Sequence, residues 1–546
     1  GYGLYRLGSP GEMINGIKAL VALFLLNGLL SFSTWWPTPA VLPDARIAPE
    51  FILWWSLVLI VFAARRSIST ITLNLMAVFY LILVLGRYLD VTAPSLFGRA
   101  VNLYWDIPQI PRFMWVTAAE SPWWLSTLVG VIIALSLWGL FRLIRGTMAM
   151  VVVHALPFAA VRRSVWVLTA AAVLLVSANY AGVRATWPYV SKPVVPVYWN
   201  QLVFLWQAYS SEDLDRALPA QTVIEDALQD AKSLSALQSK DVYIIFLESF
   251  GAVLYDNSEA KARTDRGRTA LLQSIQKTQR HVVSAFFSSP TIGGASDLAH
   301  MSLLAGVDLS DPRRHDLLLT TDRPTLISLF RKVGYQTFGL YHAVSWAWPE
   351  KAYYNFDVYL DGPALNYRGP SIGFWHIPDQ FAIARFEQMY PRRENQPPRF
   401  LFFPTISSHF PFSPVPPYQP DWQKILSDQP FGTQEMNRVR AEKVNWLNMA
   451  EDYLRAINYT FDWLTGYLAQ PEPRDTVIIL IGDHQPSANV MGDGQPWHVP
   501  VYVITKDRAI LARFEAQGFE KGLSPDRTVR GGMHDLTQVV LKAFGN

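Results

Sequence analysis

TVIILIGDHQP, residues 476–486, is an unbroken apolar run that stops on Asp483 and His484. A run of this length without polar alternation is the pattern of a strand buried on both faces. The same pattern recurs at VYIIFLESF (242–250), which stops on Glu248, and at VVSAFFSS (282–289), YQTFGLY (335–341), RFLFFPTIS (399–407) and VPVYVIT (499–505). Helical periodicity fills the gaps, notably over 322–333, 378–388 and 435–468. Strands alternating with helices predict an α/β domain over 239–546, with a mostly parallel sheet covered on both faces. In such sheets ligands bind beyond the carboxyl ends of the strands, which singles out Glu248, Asp483 and His484.

Toward the amino terminus the pattern changes. Apolar runs near spanning length occupy 19–36, 47–64, 71–86, 123–141 and 164–183; about 20 apolar residues cross a bilayer as a helix. Five runs within the first 183 residues predict a transmembrane domain of five helices. Arg65 and Arg66 follow the second run, and Arg142, Arg145, Arg162 and Arg163 lie between the fourth and fifth. The positive-inside rule makes those connections cytoplasmic and puts everything after residue 183 outside. Trp35, Trp36, Trp123 and Trp124 fall where interfacial aromatic belts are expected. The apolar stretch 148–161, flanked by Arg and holding His154 and Pro157, reads as an interfacial or re-entrant helix. Residues 184–238, with Pro188, Pro193 and Pro196 near their start, read as a juxtamembrane helical linker. The first residue is Gly rather than Met, which leaves open whether the numbering begins at the native amino terminus or inside a longer product.

Composition narrows the function classes. Half of the 546 residues are hydrophobic and 17% are charged, which excludes a disordered chain. Lys and Arg number 47 against 44 Asp and Glu, a net charge of +3, without the basic footprint of a nucleic-acid binder. With no Cys, disulfides, thiolate metal sites and Cys nucleophiles are excluded, and any metal must sit on oxygen and nitrogen.

The loop PTIGGASDLAH (290–300) adds Ser296 behind two glycines. Together, Glu248, Asp483, His484 and Ser296 supply an oxygen and nitrogen ligand set for one divalent cation, with the serine oxygen as both ligand and nucleophile. Coordination lowers the hydroxyl pKa, and the cation offsets charge developing on phosphoryl oxygens. Singly, each piece has a plainer explanation. An acid after a strand caps the next helix, and GGAS makes a tight turn into an N-cap at Ser296. The other loop hydroxyl is Thr291.

These motifs, with TISSHFPF (405–412) and GGMHDLTQVVLKAFG (531–545) in the same order, resemble the membrane-bound sulfatase-like branch of the alkaline phosphatase superfamily. The lipoteichoic acid synthase type of phosphoglycerol transferase is the most similar. The resemblance covers about residues 240–546, and five spans ahead of such a domain are similar too. It implies one divalent metal, manganese or zinc, held by Glu248, Ser296, Asp483 and His484. It also implies substrate contacts from His409, Trp348 and His498, with acid/base work assigned to His409 or His498. Those relatives use Thr in a KTSD context where this chain has GGASD. They also place Arg two residues after the Trp, where this chain has Glu350 followed by Lys351. Trp346, Trp348, Tyr353 and Tyr354 form either an acceptor-binding aromatic wall or ordinary core and rim. Arg313, Arg314 and His315 read as a solvated turn.

The implied activity is transfer of phosphoglycerol from a membrane phospholipid, through a phosphoseryl intermediate on Ser296, to a glycan or polymer acceptor. The implied place is a bacterial inner membrane, with the catalytic domain periplasmic or extracellular. Three alternatives stay open: phosphoethanolamine transfer, a phosphodiesterase or sulfatase-type hydrolase, and a catalytically degenerate membrane scaffold. Phosphoethanolamine enzymes of this group usually carry disulfides, which this chain cannot form. Classical sulfatases need a C/S-x-P-x-R context that SDLAH lacks.

Overall fold

The computed structural model describes residues 10–35, 38–65, 67–97, 99–120, 123–181, 189–209, 218–345, 348, 350–373, 376–393, 395–445, 448–472, 474–492 and 494–545. Trp36, Arg66, Val183, Pro188 and Trp346 lie outside them. The chain divides into two compact units, residues 1–95 with 100–209, and residues 96–99 with 210–546.

The first unit is helical: α1 Pro10–Ser31, α2 Pro49–Arg65, α3 Thr70–Phe97, α4 Leu103–Glu120, α5 Trp123–Ala149, α6 Ala159–Tyr180 and α7 Val195–Tyr209. Among the described residues, four helices are long and apolar enough to cross a membrane, over Met13–Ser31, Thr70–Leu96, Trp123–His154 and Val161–Asn179. The expected second span, α2, has 17 residues. At 1.5 Å per residue it reaches about 25 Å, against a hydrocarbon core of about 30 Å. The stretch 148–161 is not a separate helix. Its first half prolongs α5 through a π-helical segment, Met150–Ala155, closed by Leu156 N–H donating to Val151 O. Its last residues already belong to α6. Helix α4, with Pro108 and Pro111 inside it, was not foreseen.

Part of the expected linker joins this unit. Ile47 N–H donates to Tyr189 O, Ser191 N–H donates to Ile47 O, and the buried Glu50 carboxylate accepts from Val194 and Val195 N–H. Arg87, also buried, donates to Phe32 O and Lys192 O. Buried charges with this many backbone partners are structural fasteners.

Among the described residues, the second unit is built on nine strands: β1 Asp241–Leu247, β2 His281–Ser288, β3 Gln336–Tyr341, β4 Val358–Asp361, β5 Arg399–Pro404, β6 Thr476–Gly482, β7 His498–Thr505, β8 Glu520–Lys521 and β9 Val529–Gly532. Their order is β8-β2-β7-β6-β1-β5-β3-β4, with β9 beside β2. All six expected strands are present; β4, β8 and β9 are short additions. Strand β1 lies centrally, parallel to β5 and β6, and all seven of its residues are buried. The sheet is mostly parallel, but β7 runs antiparallel to both β6 and β2, and β8 antiparallel to β2.

Helices flank the sheet: α8 Ser258–Lys277, α9 Ser296–Ala305, α10 Asp379–Met389, α11 Ala450–Leu468 and α12 Met533–Phe544. Successive residues of β5 show that both faces are covered. Phe402 packs on His300 of α9 at 5.7 Å, and Phe403 on Trp463 of α11 at 6.2 Å. Burying each such side chain contributes about 1.5–3 kcal/mol. Helix α8 approaches α11 at Gly267, where a Cβ would lie 2.8 Å from Phe461 Cβ.

The single helix expected over 435–468 is two, Thr433–Ala441 and α11. Glu442 leaves helical geometry, and its carboxylate accepts from Val415 N–H and pairs with Arg455. Tertiary bonds to that carboxylate outweigh continuing the local period.

Candidate active site

The carboxyl edge of the sheet gathers side chains from three loops. Glu248 follows β1, Asp483 and His484 follow β6, and Ser296 opens α9 after the loop leaving β2. Strands β1 and β6 are neighbours, so their terminal acids face each other. The close approach requires Gly482, because a Cβ there would sit 1.9 Å from Phe250 O.

Ser296 Oγ lies 3.2 Å from Glu248 Oε2 and 3.2 Å from His484 Nε2. His484 Nε2 is also 3.4 Å from Glu248 Oε1 and 3.7 Å from Asp483 Oδ2. Potential ligand atoms of Glu248, Asp483 and His484 all lie within 4.8 Å of one another, and all three residues are buried. His484 Nδ1 lies 2.8 Å from Gln485 O. A carbonyl only accepts, so Nδ1 carries the proton and Nε2 presents its lone pair to Ser296. Burial first, and the adjacent Asp483 carboxylate second, push Glu248 well above its ordinary pKa. Two buried carboxylates in contact are a costly arrangement that a divalent cation relieves. Carboxylate, imidazole and hydroxyl donors suit manganese or zinc.

Backbone geometry holds these groups. Ala295 and Ser249 have φ of 61° and 55°, left-handed conformations uncommon for residues with a Cβ. The first turns the chain so that Ser296 begins α9, where helix amides favour an anion. The second lets Ser249 N–H donate to Asp483 Oδ1 at 2.8 Å while its hydroxyl donates to Glu248 Oε1 at 3.0 Å. Thr291, the other loop hydroxyl, donates to Gly294 O at 2.6 Å and so braces the turn.

His409 sits in the loop after β5, which grips the Glu248 backbone. Glu248 N–H donates to Thr405 Oγ1 at 3.0 Å, and Ser408 Oγ donates to Glu248 O at 2.7 Å. Burial lowers the His409 pKa to about 4, although Nδ1–H donating to Phe410 O opposes the shift. The ring is therefore neutral near pH 7, with its lone pair on Nε2. His498 begins β7, and because that strand is reversed, its first residue lies opposite Ser288 at the same sheet edge. Burial lowers its pKa as well. Among the described residues, its ring makes no hydrogen bond to Ser296 or the buried acids. Trp348 packs on Tyr341 at 4.5 Å and on Tyr354 at 5.7 Å.

Three surroundings differ from expectation. Glu350 is buried, with Oε1 lying 3.3 Å from His315 Nε2, so its carboxylate is committed to an internal pair. Arg313 and Arg314 pair with Asp311 and Asp308, and His315 is buried rather than solvated. Tyr354 is a core residue at 1% exposure, not part of an open wall.

Sequence reasoning passed over a support for the His409 loop. His342 Nε2 lies 2.9 Å from Asp379 Oδ1, and Asp379 accepts from Ile406 and Ser407 N–H. The only sequence signal is His342 at the end of an apolar run. His300 was also passed over. It packs on Phe246 at 4.6 Å, and burial lowers its pKa to about 4, so it acts as a neutral core side chain.

Known proteins place this geometry in context. Residues 240–508 match the sulfatase family. A putative cyclic beta-1,2-glucan modification protein of Rhizobium meliloti is 26% identical over 174 residues, 31% of this chain and 24% of the relative. The chain thus spans about a quarter of that relative's length. Among solved structures, it is similar to lipooligosaccharide phosphoethanolamine transferase A of Neisseria meningitidis, with 13% identity, 97% of this chain and 95% of that one covered, and a TM-score of 0.49. The phosphoglycerol transferase GacH of Streptococcus pyogenes is similar at 12% identity, covering 58% of this chain and 88% of that one, with a TM-score of 0.32. The domain over residues 240–508, with its acids and serine at the sheet edge, belongs to the sulfatase family.

Proposed function

We propose that this protein transfers the phosphoglycerol headgroup of a membrane phospholipid, through a covalent intermediate on Ser296, to a glycan or polymer acceptor outside the cytoplasm. The observation that carries this is the position of Ser296 Oγ, 3.2 Å from both a buried carboxylate and an imidazole lone pair at a helix amino terminus.

Glu248, Asp483, His484 and Ser296 would hold one divalent metal, manganese or zinc. Bound there, the metal would lower the hydroxyl pKa and offset charge on the phosphoryl oxygens. Ser296 Oγ gives up its proton and bonds to phosphorus. The bond from phosphorus to the diacylglycerol oxygen breaks, and that oxygen takes up the proton. The acceptor hydroxyl then bonds to phosphorus and releases Ser296, whose Oγ regains a proton. His409 and His498, kept neutral by their lowered pKa values, suit accepting a hydrogen bond from a headgroup or acceptor hydroxyl, and acid/base work is assigned to one of them. Trp348 is assigned to the substrate side.

In this reading residues 1–183 form the membrane domain of an inner-membrane protein, 184–238, whose described part up to Tyr209 belongs to the helical unit, lead to the catalytic domain, and 239–546 work on the periplasmic or extracellular side. A lipid donor accounts for the apolar helices, since tethering raises its effective concentration. The cysteine-free sequence supports phosphoglycerol over phosphoethanolamine as the group moved.

The test is incubation of the full chain with vesicles of labelled phosphatidylglycerol or phosphatidylethanolamine, followed by mass spectrometry of the peptide containing GGASD. A glycerophosphate adduct that disappears in Ser296→Ala supports the proposal. An ethanolamine adduct reassigns the donor, and turnover independent of Ser296 overturns the mechanism.

A further inference from the structure

At the opposite end of β6 from Asp483 lies a cavity of about 380 Å³. From Ile478, the lining residue of β6 nearest to it, Asp483 is five residues further along the chain, about 17 Å, so this is not the edge that carries Ser296. The volume falls within the range of small-molecule sites, about 300–1,000 Å³.

Its lining has a distinct chemistry. Trp422 and Tyr467 supply aromatic surface, with ring centroids 6.0 Å apart. Two ion pairs contribute to the wall: Arg280 with Glu472 at 2.8 Å, and Arg392 with Glu387 at 3.0 Å. Two guanidiniums and two carboxylates cancel, so the cavity offers no net charge to select an anion or a cation. Gln388, Gln423 and Gln470 add amides at the rim, each with donors and an acceptor side by side. The Nε–H of Arg280 is buried and makes no hydrogen bond among the described residues, and that of Arg392 faces Asp241 Oδ2 at 3.8 Å, beyond hydrogen-bond reach. A purely structural network would be expected to satisfy them.

Balanced charge, paired donors and acceptors, and an aromatic face together match a neutral polyhydroxylated ring. Vicinal hydroxyls engage amides and guanidiniums, and the apolar C–H face of a sugar packs on indole. We infer that this cavity is a saccharide-binding site, remote from Ser296, that holds a distant unit of a glycan. That role rests on the glycan-acceptor part of the proposed function, whereas the binding itself requires no turnover.

The test uses the full chain in lipid nanodiscs, free of sugar detergents, titrated with a β-linked gluco-oligosaccharide series and followed by saturation-transfer NMR and calorimetry. Binding should weaken about tenfold in Trp422→Ala and recover in part in Trp422→Phe. Gln423 is exposed at the rim, so Gln423→Ala tests the site without threatening the fold and should also weaken binding. Ser296→Ala should bind the sugar as the wild type does. No binding to the wild type, or equal affinity in Trp422→Ala and Gln423→Ala, overturns the inference and leaves the serine adduct untouched. Sugar binding without any adduct sustains it and overturns the proposed reaction instead.

Discussion

Ser296 Oγ and His484 Nε2 lie 3.2 Å apart although 188 positions separate them in the chain. The contact exists because β2 and β6 end at one sheet edge and Gln485 O fixes the imidazole tautomer. It turns an ordinary loop serine into a candidate nucleophile with a lone pair beside it.

Ser296→Ala should lower headgroup transfer by at least about 10³-fold while leaving thermal stability nearly unchanged, since the side chain is only part-buried. Ser296→Thr keeps the hydroxyl and should retain measurable activity. Comparing steady-state rates with melting curves separates lost chemistry from lost folding.

Glu248 is destabilising when ionised without a cation, because burial and the Asp483 carboxylate both raise its pKa. A carboxyl whose folded pKa exceeds its unfolded value costs stability as pH rises through that interval. Glu248→Gln should therefore stabilise the metal-free protein by roughly 1–3 kcal/mol and abolish metal binding. Chelation should remove about one equivalent of metal and lower the melting temperature of the wild type but not of Glu248→Gln. Metal analysis and calorimetry on both proteins check this.

His315 is held at a pKa of about 9: burial alone would lower it, but hydrogen bonds to Asp316 and Glu350 outweigh that. Its folded value lies above the ordinary value of about 6.5. The contribution is therefore complete below about pH 6.5 and is lost as pH rises through about 9. Denaturation midpoints should fall across that window by up to about 3 kcal/mol equivalent, and His315→Gln should flatten the profile.

Ala295 holds φ of 61° immediately before Ser296. Ala295→Gly should relieve about 1 kcal/mol of backbone strain, and Ala295→Val should worsen it. If this turn aims Ser296, the glycine variant gains stability but loses turnover through freedom at the nucleophile. Melting temperature and kcat measured together read both effects.

Much of the fold was legible because it is local. Continuous apolar runs such as 242–247 and 476–482 announce doubly buried strands, and the acids that end them mark the edge where chemistry collects. Helical period, by contrast, carried 435–468 as one element, because nothing local reports that Glu442 is captured by Val415 and Arg455. Glu350 stands where the relatives it resembles have Arg, and only packing against His315 showed that its charge is already matched.

The sequence by itself determined the six long strands, the apolar helices of the first unit, and the side chains that stand at strand ends, since these follow from hydrophobic period and chain direction; the short strands β4, β8 and β9 carry no such signal. Strand order and direction were decided by tertiary structure alone. Placing β6 beside β1 brings Asp483 to Glu248, and reversing β7 returns His498 to the same edge. The cavity beneath Trp422 has the same origin, drawing its walls from segments as far apart as Arg280 and Ile478. Contacts between distant segments depend on the packing of the whole chain against itself, which no local window of residues encodes.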